Sequence, residues 1–241
     1  RGVLRYCPLV MLAARTRSNH ALSFLLCLIF FLSGVAALLF ETLWFYQAGI
    51  ALGISVWASS LVLAGFMGGL AIGNGLMWRV GHLIRRPARV YAWLELTIGL
   101  TGLALVLALP RMTPLLAPLF RSMLDHPWML NFARFAIAFP LLLIPSTAMG
   151  ATLPVLVGAY SHVDPQFGRG LGRLYGWNTL GAVLGALAGE AALLSWCGIR
   201  GTAVVAASIN GVIALIALTL SRSLDASAPS PSTRPATREV S

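Results

Sequence analysis

Residues 168–190 read GRGLGRLYGWNTLGAVLGALAGE, a basic, glycine-containing lead into an apolar segment that ends on a carboxylate. Gly181, Gly185 and Gly189 recur every four residues, so on a helix they stack on one face and let a second backbone come close. The stretch therefore predicts a membrane helix that requires a partner helix. Asn178, Ala182, Ala186 and Glu190 form the adjoining stripe beside that face. A carboxylate inside a span costs about 2.5–3.5 kcal/mol on insertion scales, so Glu190 is expected to point into protein. The bland alternative is that it lies near the helix end and reaches interfacial water.

The rest of the chain has the composition of such a helix's neighbours. Hydrophobic residues make up 58% of the 241 and charged residues 10%, which places the chain outside soluble domains and among membrane proteins. The formal charge of +10 does not indicate nucleic acid, because the basic residues are scattered between apolar runs and form no patch interleaved with aromatics. All 17 basic residues are Arg, which reads as coding bias more readily than as bidentate chemistry. Cys7, Cys27 and Cys197 are odd in number and widely spaced, so they read as packing residues. His20, His82, His126 and His162 lack a second ligand at helical spacing, and neither a metal site nor a cofactor is expected.

About 20 apolar residues cross a hydrocarbon core as a helix. Six segments meet that length: 22–45, 55–78, 90–109, 132–160, 174–195 and 201–220. The fold class expected is an all-α, polytopic membrane helical bundle of six transmembrane helices. The first apolar run is too long for a signal h-region and reads as a retained span. Residues 1–20 read as a basic N-terminal segment, 21–220 as the transmembrane domain, and the Ser- and Pro-rich 221–241 as a disordered tail or linker. Arg1, Arg5, Arg15, Arg17, Arg79, Arg85, Arg86, Arg89, Arg169, Arg173, Arg222, Arg234 and Arg238 fall on one side of this topology. Arg111, Arg121, Arg134 and Arg200 fall on the other, so the positive-inside rule puts both termini in the cytoplasm. Trp44, Tyr46, Trp57, Trp128 and Trp196 then mark the outer ends, and Trp78, Tyr91, Trp93, Tyr160, Tyr175 and Trp177 the inner ends, as an aromatic belt.

Within this frame Glu41 closes the apolar run of the first span and is the leading functional candidate, against a purely packing role. Glu95 sits near the cytoplasmic boundary and reads as a snorkelling side chain. Asn210 reads as an interhelical hydrogen-bond donor. Residues 110–131, with Pro110, Pro114 and Pro118, read as an outer loop containing a short interfacial helix. Pro140, Pro145 and Pro154 predict a kinked fourth span whose freed carbonyls Ser146 and Thr147 satisfy, marking either a transporter's binding region or plain packing. A second glycine ladder, Gly65, Gly69 and Gly73, lies on the second span. Ladders on the middle span of each half suggest a 3+3 inverted repeat, and dimerisation through a ladder is a further expectation.

FFLSGVAALLFETLW at 30–44, LAGFMGGLAIGNGL at 63–76, MGATLPVL at 149–156 and GRLYGWNTLGAVLGALAG at 172–189 occur in order over most of residues 24–220. Together they resemble the membrane region of the fused major facilitator and spermidine synthase-like proteins of bacteria. The resemblance implies a six-helix region like half of a major facilitator fold, in a bacterial inner membrane, joined to a cytoplasmic aminopropyltransferase-like domain. Glu41, Glu95, Asn178 and the block at 149–154 match the family's polar and kinked positions, while Glu190 stands where an apolar residue is expected. The turn GLMWRVG at 75–81 resembles a degenerate facilitator loop, keeping Arg79 and Gly81 but with Trp78 at an acidic position.

The chain holds no strand and Gly-rich turn able to cradle a nucleoside, so it is not expected to be an enzyme by itself. The resemblance implies transport or handling of a small cationic or amphipathic molecule such as a polyamine; Glu41 is then the leading substrate-binding residue, with Asn178 and Glu190 on the facing stripe. The competing reading is a non-transporting anchor for a cytoplasmic aminopropyltransferase-like domain or partner subunit. Carriage predicts Glu41 and Glu190 on a shared wet cavity, and anchoring predicts each satisfied in a dry interface.

Overall fold

A computed structural model describes residues 8–52, 56–161 and 167–226. The N-terminal residues 1–7, with Arg1, Arg5 and Cys7, lie outside the described residues, as do His162, most of the expected tail, Arg234 and Arg238. The elements are α1 (Pro8–Leu52), α2 (Val56–Val80), a short 3-10 turn (Gly81–Leu83), α3 (Pro87–Arg121), α4 (Pro127–Ser161), α5 (Phe167–Ala188), a π turn (Gly189–Leu193) and α6 (Leu194–Ala226). α1 already includes residues 8–20, and α6 runs past the expected boundary at 220. Among the described residues five helices are long and apolar enough to cross a membrane, the last running from Gly168 to Arg222. The described residues are thus all-helical, with the long apolar helices of a membrane protein.

Helices are the economical choice because lipid offers the backbone no hydrogen-bond partner. The hydroxyls follow the same rule: Thr42, Thr97, Thr101, Thr113, Thr179 and Ser208 each donate to the carbonyl four residues back.

Neighbour registers fix the helix directions. Gly181, Gly185 and Gly189 lie against Phe31, Val35 and Leu39, so α5 runs parallel to α1. Gly65, Gly69 and Gly73 lie against Phe139, Ser146 and Thr147, so α2 runs parallel to α4. A methyl group at Gly181 or Gly73 would collide with the Phe31 or Thr147 carbonyl, so these positions require glycine for close approach. Ser33, Trp44 and Gln47 bond Glu95, Gly102 and Val106, so α1 is parallel to α3. Gly99 lies against Asn210 and Ala207 while Arg89 bonds Ser221, so α3 is antiparallel to α6. It follows that α5 and α6 are antiparallel, although no loop separates them. The reversal is at Gly198, with φ 66° and ψ −178°, a left-handed backbone that glycine adopts without strain.

The expected outer loop at 110–131 is absent. α3 continues through Pro110, Pro114 and Pro118 to Arg121, and residues 122–126 make the turn. Prolines four apart lie on one face, so the lost donors are confined to a stripe. Pro110 frees the Val106 carbonyl, and Gln47 Nε2 reaches across from α1 to donate to it at 3.0 Å. α4 likewise stays helical through Pro140, Pro145 and Pro154. Ser146 Oγ bonds the Leu142 carbonyl at 2.5 Å, one position beyond the carbonyl freed by Pro145, and Thr147 Oγ1 is buried without a partner.

Trp57, Trp78, Trp93, Trp128, Tyr175 and Trp196 are exposed, as expected of membrane-interface anchors. Trp44, Tyr91 and Tyr160 are instead core residues. Trp44 stacks on Phe40 at 5.5 Å and donates its indole N–H to the Gly102 carbonyl, so its polar tip is satisfied without the interface.

The Gln47 contact is testable by a double-mutant cycle. Gln47→Leu strands the buried Val106 carbonyl and should lower unfolding free energy by about 1–3 kcal/mol in a denaturing-detergent titration. Pro110→Ala restores an N–H to that carbonyl, so Gln47→Leu should cost clearly less in the Pro110→Ala background. Equal losses in both backgrounds would refute the assignment.

Candidate functional site

The apolar core falls into two layers. One includes Ala36, Phe40, Trp44, Ile98, Val106, Leu142 and Ala206; the other includes Leu26, Phe30, Tyr91, Val155, Leu156 and Ile213. Between them α1, α3 and α6 each place one buried polar side chain: Ser33, Glu95 and Asn210. Glu95 is 0% exposed and Asn210 1%, so water does not solvate them.

Ser33 Oγ donates to Glu95 Oε1 at 2.6 Å. With its amide oriented to satisfy both ends, Asn210 donates from nitrogen to Glu95 Oε2 at 3.3 Å and accepts from the Gly99 N–H at 3.2 Å. Gly99 permits this approach, since a β-carbon there would sit 3.2 Å from the Asn210 β-carbon. The Tyr91 hydroxyl, one helical turn from Glu95, lies close to both Glu95 and Ser33 but is buried without a hydrogen bond of good geometry. The group is an oxygen-rich node joining three helices.

The depth of the node follows from helix rise. Asn210 is twelve residues from Gly198 and twelve from Arg222, about 18 Å either way at 1.5 Å per residue. That is the middle of a helix matched to a hydrocarbon core of about 30 Å. Glu95 meets Asn210 and so lies at the same depth. One end of the bundle is consequently basic, with Arg79, Arg85, Arg86, Arg89, Arg169, Arg173 and Arg222, and the node lies well inside it.

The expected site residues are not gathered into a site. Glu41 is half-buried and makes no hydrogen bond or ion pair among the described residues. Asn178 Nδ2 donates to the Phe30 carbonyl at 3.0 Å, a packing bond that ties α5 to α1 beside the ladder. Glu190 is exposed rather than turned into protein, because Gly189 takes the position facing Leu39 and the next residue points away. Glu41 and Glu190 share a level on the α1–α5 edge. Three cavities stand out: a cleft of about 350 Å3 at the basic end lined by Met77, Ile84, Pro87 and Pro154, an apolar groove of about 320 Å3 along α1 and α6, and a void of about 10 Å3 in the core. None is lined by Glu41, Glu95 or Glu190.

Glu95 corrects the snorkelling expectation: it faces α1 and α6 rather than the membrane surface. Ser33 carries no sequence signal except a hydroxyl in the middle of an apolar run, and Tyr91, which reads as an interface anchor in the sequence, is a core residue. Comparison with protein-family models, curated proteins and solved structures finds no match to this chain.

Interhelical hydrogen bonds in membranes average about 0.6 kcal/mol and reach about 1.7. Ser33→Ala and Asn210→Ala should therefore each lower unfolding free energy by about 0.6–1.7 kcal/mol in a denaturing-detergent titration. Glu41→Gln should change it by less than about 0.5 kcal/mol. A Glu41→Gln loss matching that of Ser33→Ala would place the structural carboxylate at the wrong helix.

Proposed function

We propose that the chain crosses the membrane six times as a 3+3 inverted repeat and acts as an anchor or scaffold for a cytoplasmic domain or partner subunit. The repeat is supported by how the helices pack. Exchanging α1 with α4, α2 with α5 and α3 with α6 turns the α2–α4 contact into α5–α1, α3–α4 into α6–α1, and α1–α2 into α4–α5. The α3–α6 pair maps onto itself. Glycine positions follow the same exchange: Gly150 lies on Leu70 as Gly34 lies on Asn178, and Gly73 meets Thr147 as Gly181 meets Phe31. The two ladders thus overlap at one equivalent rung, Gly73 with Gly181, instead of matching rung for rung. α1 also packs on α3 without a comparable α4–α6 contact, which is where the repeat is imperfect.

The sixth crossing rests on the Gly198 reversal, since 55 continuous helical residues would extend about 80 Å. With the basic end cytoplasmic by the positive-inside rule, the exposed Cys197 lies at the far surface. In intact cells carrying Cys7→Ser and Cys27→Ala, a membrane-impermeant maleimide should label Cys197 from outside. Labelling only after membranes are opened would overturn the topology.

The scaffold reading is carried by one observation: the buried carboxylate is satisfied in a dry interface by two other helices. The resemblance supplies the cargo of the scaffold, an aminopropyltransferase-like domain, and the bacterial inner membrane as its place. A second reading, carriage of a small cation such as a polyamine, draws on the depth of Glu95 at the meeting of the two halves, where inverted-repeat transporters hold their substrates. Proteoliposomes separate the two. The reconstituted chain should pass radiolabelled spermidine no faster than protein-free vesicles, with or without a pH gradient. Flux that Glu95→Gln abolishes without loss of folded protein would replace the scaffold by a carrier.

A further inference from the structure

We propose that Ser33, Tyr91, Glu95 and Asn210 form a binding site for one exchangeable proton, and that its occupancy is written into the contact between α3 and α6. The inference goes beyond the scaffold reading, which asks only that the node be satisfied.

The chemistry is that of a carboxylate among donors. Glu95 Oε1 takes the Ser33 hydroxyl and Oε2 faces the Asn210 amide, while the Tyr91 hydroxyl is held beside them fully buried and without a hydrogen bond of good geometry. Among the described residues no cation faces the carboxyl group. From α3 its ionisable neighbour is Tyr91; α1 presents Ser33 and α6 presents Asn210, neither ionisable. On α4 the ionisable Arg134 and Tyr160 lie toward opposite ends, and on α1 Glu41 is eight residues from Ser33, about 12 Å along the helix. A lone carboxyl at this depth is by default a functional group. None of the three cavities touches the node, so a proton fits where a hydrated ion or an amine does not.

The step balances simply. A hydronium ion gives its proton to Glu95 Oε2, forming one O–H bond and leaving water. Oε2 then becomes a donor where it had been an acceptor. Asn210 meets either state, because rotating its amide presents oxygen in place of nitrogen. That rotation gives up the bond from the Gly99 N–H, so the α3–α6 contact differs between the two states. Tyr91 lies on the side of Glu95 facing the basic end, one turn from Pro87, which lines the cleft there. This is the short route to water, with the Tyr91 hydroxyl as relay.

Difference infrared spectroscopy of the protein in nanodiscs during a pH titration tests the site. One carboxylic-acid C=O band should appear as pH falls, be lost in Glu95→Gln, shift in Ser33→Ala, and appear more slowly after a pH jump in Tyr91→Phe. Added sodium at constant pH should leave it unchanged. A titration with no band that depends on Glu95 overturns the proposal, and a band displaced by sodium replaces the proton with a metal cation. Should Glu95→Gln not fold, Ser33→Ala decides alone: an unshifted band refutes the node. Because the readout is spectroscopic, a band in protein that moves no spermidine leaves the scaffold reading intact, and the absence of both band and flux removes only the proton site.

Discussion

A carboxyl group at mid-depth in a bilayer must find hydrogen-bond partners on other helices, because lipid supplies none and its own helix has spent its backbone groups. Glu95 imposes that condition here. Ser33 and Asn210 meet it only if α1 and α6 present one residue each at one height and rotation, so the node sets the register of three helices at once. Other features follow from that register. Gly99 clears space for Asn210, Trp44 meets the Gly102 carbonyl, and Gln47 meets the carbonyl that Pro110 frees.

Away from the node the cohesion is of another kind. α1 with α5, and α2 with α4, are held by backbones brought close at glycines, where dispersion replaces the hydrophobic drive that lipid cannot provide. A side chain at Gly181, Gly185 or Gly73 would strike a partner carbonyl, while Gly75, Gly176 and Gly211 face open space. The glycines are therefore not equivalent. Those on the ladders set interhelical distance, and Gly198, the one glycine with a left-handed backbone among the described residues, sets the turn.

The helical, membrane character was readable because an apolar run of sufficient length has few other solutions. Both ladders were readable because a four-residue glycine period has a direct geometric meaning, and all six ladder glycines are buried. Depth was harder. Glu95 stands eight residues after Pro87, and sequence spacing suggests a boundary; it does not say that the helix is packed so that this position meets α6. Glu190 failed in the opposite direction, since a ladder defines which residues face the partner but not where the stripe beside it emerges. Pro110, Pro114 and Pro118 look like a loop because the compensating donor, Gln47, lies 63 residues earlier in the chain.

The ladders also constrain which parts of the bundle move together. α1 is fastened to α5 by one ladder and packs on α6; α2 is fastened to α4 by the other, and α4 packs on α3. The two fastened pairs are therefore α1 with α5 and α2 with α4, and they meet through α3 and α6, which pack on each other more extensively than either packs on a pair. Ser33 belongs to the first pair while Glu95 and Asn210 lie on the linking α3 and α6, so the hydrogen bonds of the node tie the link together and to α1. Glu41 and Glu190 both lie on the α1–α5 edge, away from that link. Whatever the bundle anchors or carries, a shift of α3 against α1 or α6 must break or remake the bonds at Glu95. A change in the charge of that one carboxyl group acts directly on the joint between them, while the same change at Glu41 does not.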